Sequence, residues 1–165
     1  MRRSLLCASA VLIATFAATG CNVHVTGGST EQPASATALP ACEGAATSEH
    51  GLGEAVRASI SELSSLPPRF STGEGTVTED GGRLVVTMRL CGPGATDDQT
   101  RDAASAVSRS IGRSATLGSK VQAVHIENPD VSIRIVASPF DSARFSTGAG
   151  LADLRDQWRL DDDGR

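Results

Sequence analysis

His125 is the residue of this chain best placed for acid–base chemistry. It alternates with Glu127 along a predicted strand, which puts both side chains on one face, and Asp130 follows shortly after. An imidazole close to carboxylates can transfer protons or hold a metal ion. A half-exposed strand face carrying polar residues has the same pattern, and we favour that interpretation. The chain also lacks the short motifs of hydrolases and phosphate-binding loops, so no catalytic residue and no metal ligand is assigned.

A seven-residue segment occurs twice in the chain. Residues 69–75, RFSTGEG, recur at 144–150 as RFSTGAG, and the second copy precedes a predicted helix, where free amides favour anions. A pair of loops that contact anions or glycans is one hypothesis, with the candidate residues Arg69, Ser71, Thr72, Arg144, Ser146 and Thr147. Ser/Thr-Gly turns anchored by Phe70 and Phe145 are the alternative, which we favour.

The first twenty residues have the composition of an export signal. Arg2 and Arg3 form a short cationic region, and an apolar run follows from Leu5 to Ala18. This run suits the core of a signal peptide and is shorter than the ~20 residues that span a bilayer. Small residues end the run immediately before Cys21.

The sequence Ala18-Thr19-Gly20-Cys21 resembles the lipobox of bacterial lipoprotein precursors, although Leu is the usual residue at the position of Ala18. The resemblance implies a diacylglycerol on the Cys21 sulfur, cleavage before Cys21, and anchoring to the cell membrane outside the cytoplasm. Two or three acyl chains hold a protein stably on a membrane. A plain secretory signal with a chance cysteine is the alternative.

Two cysteines, Cys42 and Cys91, remain once the leader is removed and Cys21 is lipidated. A pair of cysteines in an oxidising compartment predicts a disulfide bond between them. Two free buried thiols are the alternative. The chain has no CxxC pair, so neither a thioredoxin-like site nor a zinc knuckle is expected.

The chain is expected to have four parts. Residues 22–47 are rich in Gly, Ser, Thr, Ala and Pro and have no apolar period, which is typical of a flexible tether. We therefore assign a signal peptide to residues 1–20, a tether to 21–47, a domain to 48–160 and an acidic tail to 161–165.

Apolar periodicity in the domain predicts the order α-β-β-α-β-β followed by a short helix. The helices are predicted at 51–66, 96–112 and 151–160, and the strands at 76–78, 83–91, 121–127 and 131–137. Residues 96–99, TDDQ, predict a capping box at the start of the second helix, and its buried stripe is predicted to be Thr100, Ala104, Val107 and Ile111. We therefore expect an α+β fold, a two-layer sandwich with an antiparallel or mixed four-stranded sheet and two helices. This order resembles the BON domain, a small module of bacterial envelope proteins, and the resemblance implies association with phospholipid or the envelope.

Composition argues against several partners. The formal charge is −4, Lys120 is the single lysine, and aromatic residues make up 3% of the chain. Nucleic-acid binding usually shows a basic face, and stacking on sugars or bases needs aromatic rings, so neither partner is expected.

We therefore expect a lipid-anchored extracytoplasmic lipoprotein with a non-catalytic binding domain and no cofactor. Its partner would be an envelope protein, a wall polymer or a lipid headgroup. One alternative is a regulatory lipoprotein that restrains a membrane sensor or signalling pathway. Another is a small hydrolase that uses His125 and Glu127.

Lipidation at Cys21 is tested by labelling. In a bacterial host, labelled palmitate should reach the full chain and be lost in Cys21→Ser, because the cysteine sulfur is the expected attachment atom. Cys7→Ser, which changes a cysteine of the leader, should keep the label. Equal labelling of Cys21→Ser and the parent would overturn the assignment.

Overall fold

A computed structural model of the chain describes residues 38–161. The predicted signal peptide, the lipobox with Cys21, most of the predicted tether and residues 162–165 of the predicted tail lie outside the described residues. None of the helices between residues 38 and 161 combines the length and the apolar character that a membrane span needs.

The chain is α+β. Its helices are α1 (Leu52–Ser65), α2 (Asp97–Arg113) and α3 (Ser142–Ser146), and two 3-10 helices cover Glu49–Gly51 and Ala152–Gln157. Its strands are β1 (Ser71–Asp80), β2 (Arg83–Cys91), β3 (Val121–Asn128), β4 (Ile133–Ala137) and β5 (Arg159–Leu160).

The strands form one mixed sheet in the order β1-β2-β3-β4-β5. Neighbours are antiparallel except β2 and β3, which are parallel and joined through α2. The prediction of four strands is wrong because residues 159–160 pair with β4. The helix predicted at 151–160 ends early, since Trp158 adopts an extended conformation. β4 also begins later than predicted, because the turn before it includes Ser132 at a φ of 57°.

Alternation along β2 follows the sequence pattern. Side chains at even positions from Leu84 to Leu90 are buried, whereas those at odd positions from Val85 to Arg89 are half-buried or exposed. The buried row packs in one core with the apolar faces of α1 and α2. One sheet face is therefore covered by helices.

The start of α2 confirms a local prediction. The Thr96 hydroxyl accepts from the Gln99 amide, and the Gln99 side chain accepts from the Thr96 amide, which together form a capping box. The predicted stripe of the helix is fully buried: Thr100, Ala104, Val107 and Ile111.

The C-terminal segment is held against α2. The Trp158 indole donates to the Ser105 hydroxyl over 2.9 Å and packs edge-on to Phe145. Arg155 forms ion pairs with Asp98 and Asp102, and its hydrogen bond to Asp102 raises the pKa of the guanidinium. These contacts fix the chain immediately before β5.

The segment before α1 is bonded to the sheet. Cys42 and Cys91 form the predicted disulfide, with 5.5 Å between their Cα atoms. The Glu74 amide donates to the Glu43 carbonyl at 2.9 Å, and the Thr47 amide donates to the Gly75 carbonyl at 2.8 Å. Residues 40–47, which the sequence analysis assigned to the tether, therefore belong to the domain.

Gly92 allows the close approach of a core side chain and offers a test of the packing. A Cβ at Gly92 would overlap the ring of Phe70, which is 1% exposed. We expect Gly92→Ala to lower the free energy of unfolding by about 1–3 kcal/mol, because an overpacked core must shift.

Urea denaturation measures this loss, with Gly148→Ala as the control. No atom lies within 4 Å of a Cβ built on Gly148, so this variant should change stability by less than about 0.5 kcal/mol. Equal stability of the two variants would contradict the packing described for Phe70.

Candidate functional site

The sheet face opposite the helix-covered core is the candidate functional site. Successive side chains of a strand point to opposite faces, and the strand pairing puts one set from four strands together on this side. We call this surface the open face, and its members are Val85, Thr87 and Arg89 of β2, Ala123, His125 and Glu127 of β3, Arg134 and Val136 of β4, and Arg159 of β5.

Two apolar side chains are buried on the open face. Ala123 is 6% exposed and Val136 is 7% exposed, yet neither belongs to the main core cluster. They lie in a groove of about 780 Å³, which is within the usual range for ligand sites. Its other lining residues are Asp80, Val85, Gln122, His125, Ser138, Pro139, Arg159, Leu160 and Asp161.

His125 is paired with a carboxylate that the sequence analysis did not assign to it. Its Nδ1 lies 2.7 Å from Oδ2 of Asp161, whose backbone amide donates to the Arg134 carbonyl at 3.0 Å. When the ring is neutral and the carboxylate is ionised, the carboxylate can only accept, so Nδ1 carries the hydrogen and Nε2 is an acceptor. Asp161, assigned to the acidic tail, is thus part of the domain.

Glu127 is held by two arginines. Its carboxylate lies 4.0 Å from the Arg89 guanidinium and 3.1 Å from that of Arg134. These side chains are 30–51% exposed, so each pair contributes at most about 1 kcal/mol to stability. Glu127 is therefore paired with arginines, whereas His125 is paired with Asp161. The Asp130 amide bonds to the Asn128 side chain and is not part of this cluster.

The groove is lined by the carboxylates of Asp80 and Asp161 and by the guanidinium of Arg159. The side-chain amide of Gln122 on β3 donates to the carboxylate of Asp80, the last residue of β1, at 3.1 Å. Arg159 lies on β5, where its guanidinium donates to the Ser138 carbonyl. Within residues 38–161, Arg159 has no carboxylate at ion-pair distance.

The repeated segments have different conformations. Arg69 precedes β1, and Ser71 and Thr72 begin that strand, with the Ser71 hydroxyl donating to the Pro40 carbonyl. Arg144 and Ser146 lie in the short helix α3 instead. The two copies therefore do not form a repeated loop.

Side chains of the second copy bond within the chain. Arg144 makes two hydrogen bonds to the Asp156 carboxylate, and the Thr147 hydroxyl donates to the Arg144 carbonyl. The Ser146 hydroxyl donates to the Ser142 carbonyl. Phe70 and Phe145 are both buried, as expected if their rings anchor the two segments. Binding of an anion or glycan by the two segments stays a prediction.

No group of three or more potential metal ligands occurs in the part of the chain that the structure describes.

The chain matches no family model, no curated protein and no solved structure.

The β5 side of this site carries no signal in the sequence, because a two-residue strand has no recognisable period. Arg159 is therefore predicted in a helix and Asp161 in a tail, whereas the structure places both at the groove. The alternation along the two preceding strands already placed His125 and Glu127 on one face. The same alternation, extended to the next strand, would have found Val136.

The tautomer of His125 is a direct test of its pairing with Asp161. At a pH where the ring is neutral, the hydrogen should reside on Nδ1, and Asp161→Ala should remove this preference because the acceptor is lost. Two-bond ¹H–¹⁵N NMR correlations distinguish the tautomers.

Asp130→Ala is the matched control for this experiment. It removes a nearby carboxylate that does not bond to His125, so the tautomer should not change. A hydrogen on Nε2 in the parent, or the same tautomer in Asp161→Ala, would contradict the assignment.

Proposed function

We propose that this chain is a lipid-anchored extracytoplasmic lipoprotein whose domain binds an envelope partner on the open face without catalysis. The fold on which this rests is a two-layer arrangement, with helices on one side of the sheet and the open face on the other. The observation that carries the proposal is the groove over Ala123 and Val136. The groove combines apolar side chains, Val85, Ala123, Val136, Pro139 and Leu160, with six polar or charged residues, so a partner could make both apolar contacts and hydrogen bonds there.

Anchoring through Cys21 fits the charge of the exported form. Removal of residues 1–20 leaves thirteen basic and nineteen acidic residues, a formal charge of −6. An acidic domain is repelled by an anionic membrane surface. Attachment by lipid would therefore hold the domain near the membrane and leave the open face accessible to partners.

The hydrolase alternative, which pairs His125 with Glu127, receives no support from the partners of these two residues. Glu127, the second member of the hydrolase alternative, is committed to Arg89 and Arg134. His125 bonds to Asp161, which fixes the ring in the wall of the groove. An oriented imidazole with one free nitrogen can recognise a hydrogen-bond donor on a ligand.

Site-specific photo-crosslinking in intact cells tests this proposal. A photoreactive amino acid at Thr87, exposed on the open face, should give partner adducts because the surface is occupied in the cell. The same amino acid at Arg57, exposed on α1, is the matched control and should give few adducts. Val85→Arg, which places a long side chain at the groove, should remove the Thr87 adduct.

Mass spectrometry of the adduct separates the partner classes. An envelope protein, a wall fragment or a lipid would each support binding by the open face, and a membrane sensor would select the regulatory alternative. Equal adducts from Thr87 and Arg57, or an adduct that persists unchanged in Val85→Arg, would contradict the proposal.

A further inference from the structure

The outer edge of β1, which faces away from β2, is partly covered by another segment of the chain. The Gly75 amide donates to the Ala45 carbonyl at 3.4 Å, and the Gly75 carbonyl accepts from the Thr47 amide at 2.8 Å. Ala46 and Gly75 form a parallel bridge there. After Thr47 the chain turns into the 3-10 helix at Glu49–Gly51 and forms no further backbone hydrogen bond with β1.

The rest of this edge, from Thr76 to Asp80, has unpaired backbone groups, and we call it the free edge. Alternate residues of a strand direct their N–H and C=O groups to the same side, and β1 pairs with β2 without interruption from Gly75 to Asp80. Val77 and Glu79 therefore direct these groups outward, as Gly75 does. Within residues 38–161 the four groups have no hydrogen-bond partner. A strand edge in this state is a template for pairing with another extended segment.

The surroundings of the free edge leave room for an added strand. Its side chains are exposed apart from Val77, which is half-buried. A Cβ built on Gly81 or Gly82, in the turn after the free edge, would have no atom within 4 Å. At about 3.4 Å per residue, the free edge is roughly 17 Å long and matches an extended segment of about five residues.

Charge indicates which kind of segment fits the free edge. Residues 71–83 and the neighbouring segment 43–49 contain five acidic residues and one basic residue, a net charge of −4. Opposite charges on neighbouring strands stabilise their pairing, and like charges directly opposite destabilise it. The Asp80 carboxylate accepts from a side chain of β3, whereas that of Glu79 has no ion-pair partner among the described residues. A basic segment is therefore favoured.

A second copy of this chain would match the hydrogen-bonding pattern but not the charge. A two-fold axis at Thr78 would pair Val77 of each copy with Glu79 of the other. The same arrangement would bring two edges of net charge −4 together, and their repulsion opposes it. A basic partner is attracted where a second copy is repelled.

We propose that the free edge of β1 binds an extended basic segment of a partner protein, which adds a sixth strand to the five-stranded sheet. Val77 and Glu79 supply two backbone donors and two acceptors, and the Glu79 carboxylate attracts a lysine or arginine of the added strand. The groove lies on the open face and this surface is an edge of the sheet. The inference therefore goes beyond the proposed function and does not depend on it.

Amide hydrogen exchange measured by NMR tests the unpaired backbone groups directly. In the full chain in detergent micelles, the Val77 and Glu79 amides should exchange at least ~10-fold faster than the Thr78 amide, which faces β2. A saturating heptapeptide of alternating valine and lysine, with capped termini, should slow both amides at least ~10-fold, because each gains an acceptor. The Thr78 amide is the internal reference in both measurements.

Backbone methylation of the peptide separates strand pairing from attraction between charges. One peptide is methylated at its valine amides and the other at its lysine amides. Only alternate amides of an added strand face β1, so one methylated peptide should bind at least ~10-fold more weakly than the parent peptide. The other should bind within ~3-fold of the parent peptide, because its methyl groups face away from β1.

The charge requirement is tested on both partners. A heptapeptide of alternating valine and glutamate should bind at least ~10-fold more weakly than the lysine peptide. Glu79→Gln should raise the Kd of the lysine peptide ~2- to 5-fold, because one cross-strand pair loses its attraction. Asp130→Asn, at an exposed position in the turn between β3 and β4, is the control and should bind as the parent does.

Three results would overturn the inference. These are protection of the Val77 and Glu79 amides without peptide, no added protection of these amides with the lysine peptide, and equal weakening by the two methylated peptides. Protection without peptide in a chain that sediments as a dimer would assign the free edge to a second copy. Selective crosslinking at Thr87 would leave the proposal for the open face standing in each case.

Discussion

Burial of one sheet face beneath α1 and α2 is the interaction on which the other features of this domain depend. Leu84, Val86 and their neighbours on the adjacent strands fill the core, and alternation then sends the remaining strand side chains to the opposite side. That side has to be compatible with water. Arginine–glutamate pairs, a histidine–aspartate pair and Thr87 meet this requirement, while Ala123 and Val136 are apolar and buried among them.

Both ends of the described chain are bonded to the rest of the domain, and these bonds determine which residues line the groove. The disulfide between Cys42 and Cys91 closes a sequence separation of 49 residues, which in the chain-entropy model stabilises the fold by at most about 4 kcal/mol. At the other end, Trp158 and Arg155 hold the chain on α2, so β5 pairs with β4. Arg159 and Asp161 reach the groove because of that pairing.

Features with a strong local signal were predictable from the sequence. The alternation of β2 and the capping box of α2 follow from spacing and residue type, and the disulfide follows from the two remaining cysteines together with the expected oxidising compartment. β5 was not predictable, because two residues carry no period and their pairing depends on where Trp158 packs. Residues 40–47 were missed for a similar reason: backbone hydrogen bonds attach them to the glycine-rich start of β1 without an apolar pattern. Predicting the groove would have required the pairing register of four strands, and no single segment of the sequence encodes that register.

The most direct test of the open face as the binding surface is a methyl NMR titration with detergent-solubilised envelope from the host. The account predicts that signals of Val85, Ala123 and Val136 broaden or shift, while those of Ala58 and Ile60 on α1 stay unchanged. Changes confined to the α1 methyl groups, with the three open-face signals unaffected, would contradict it.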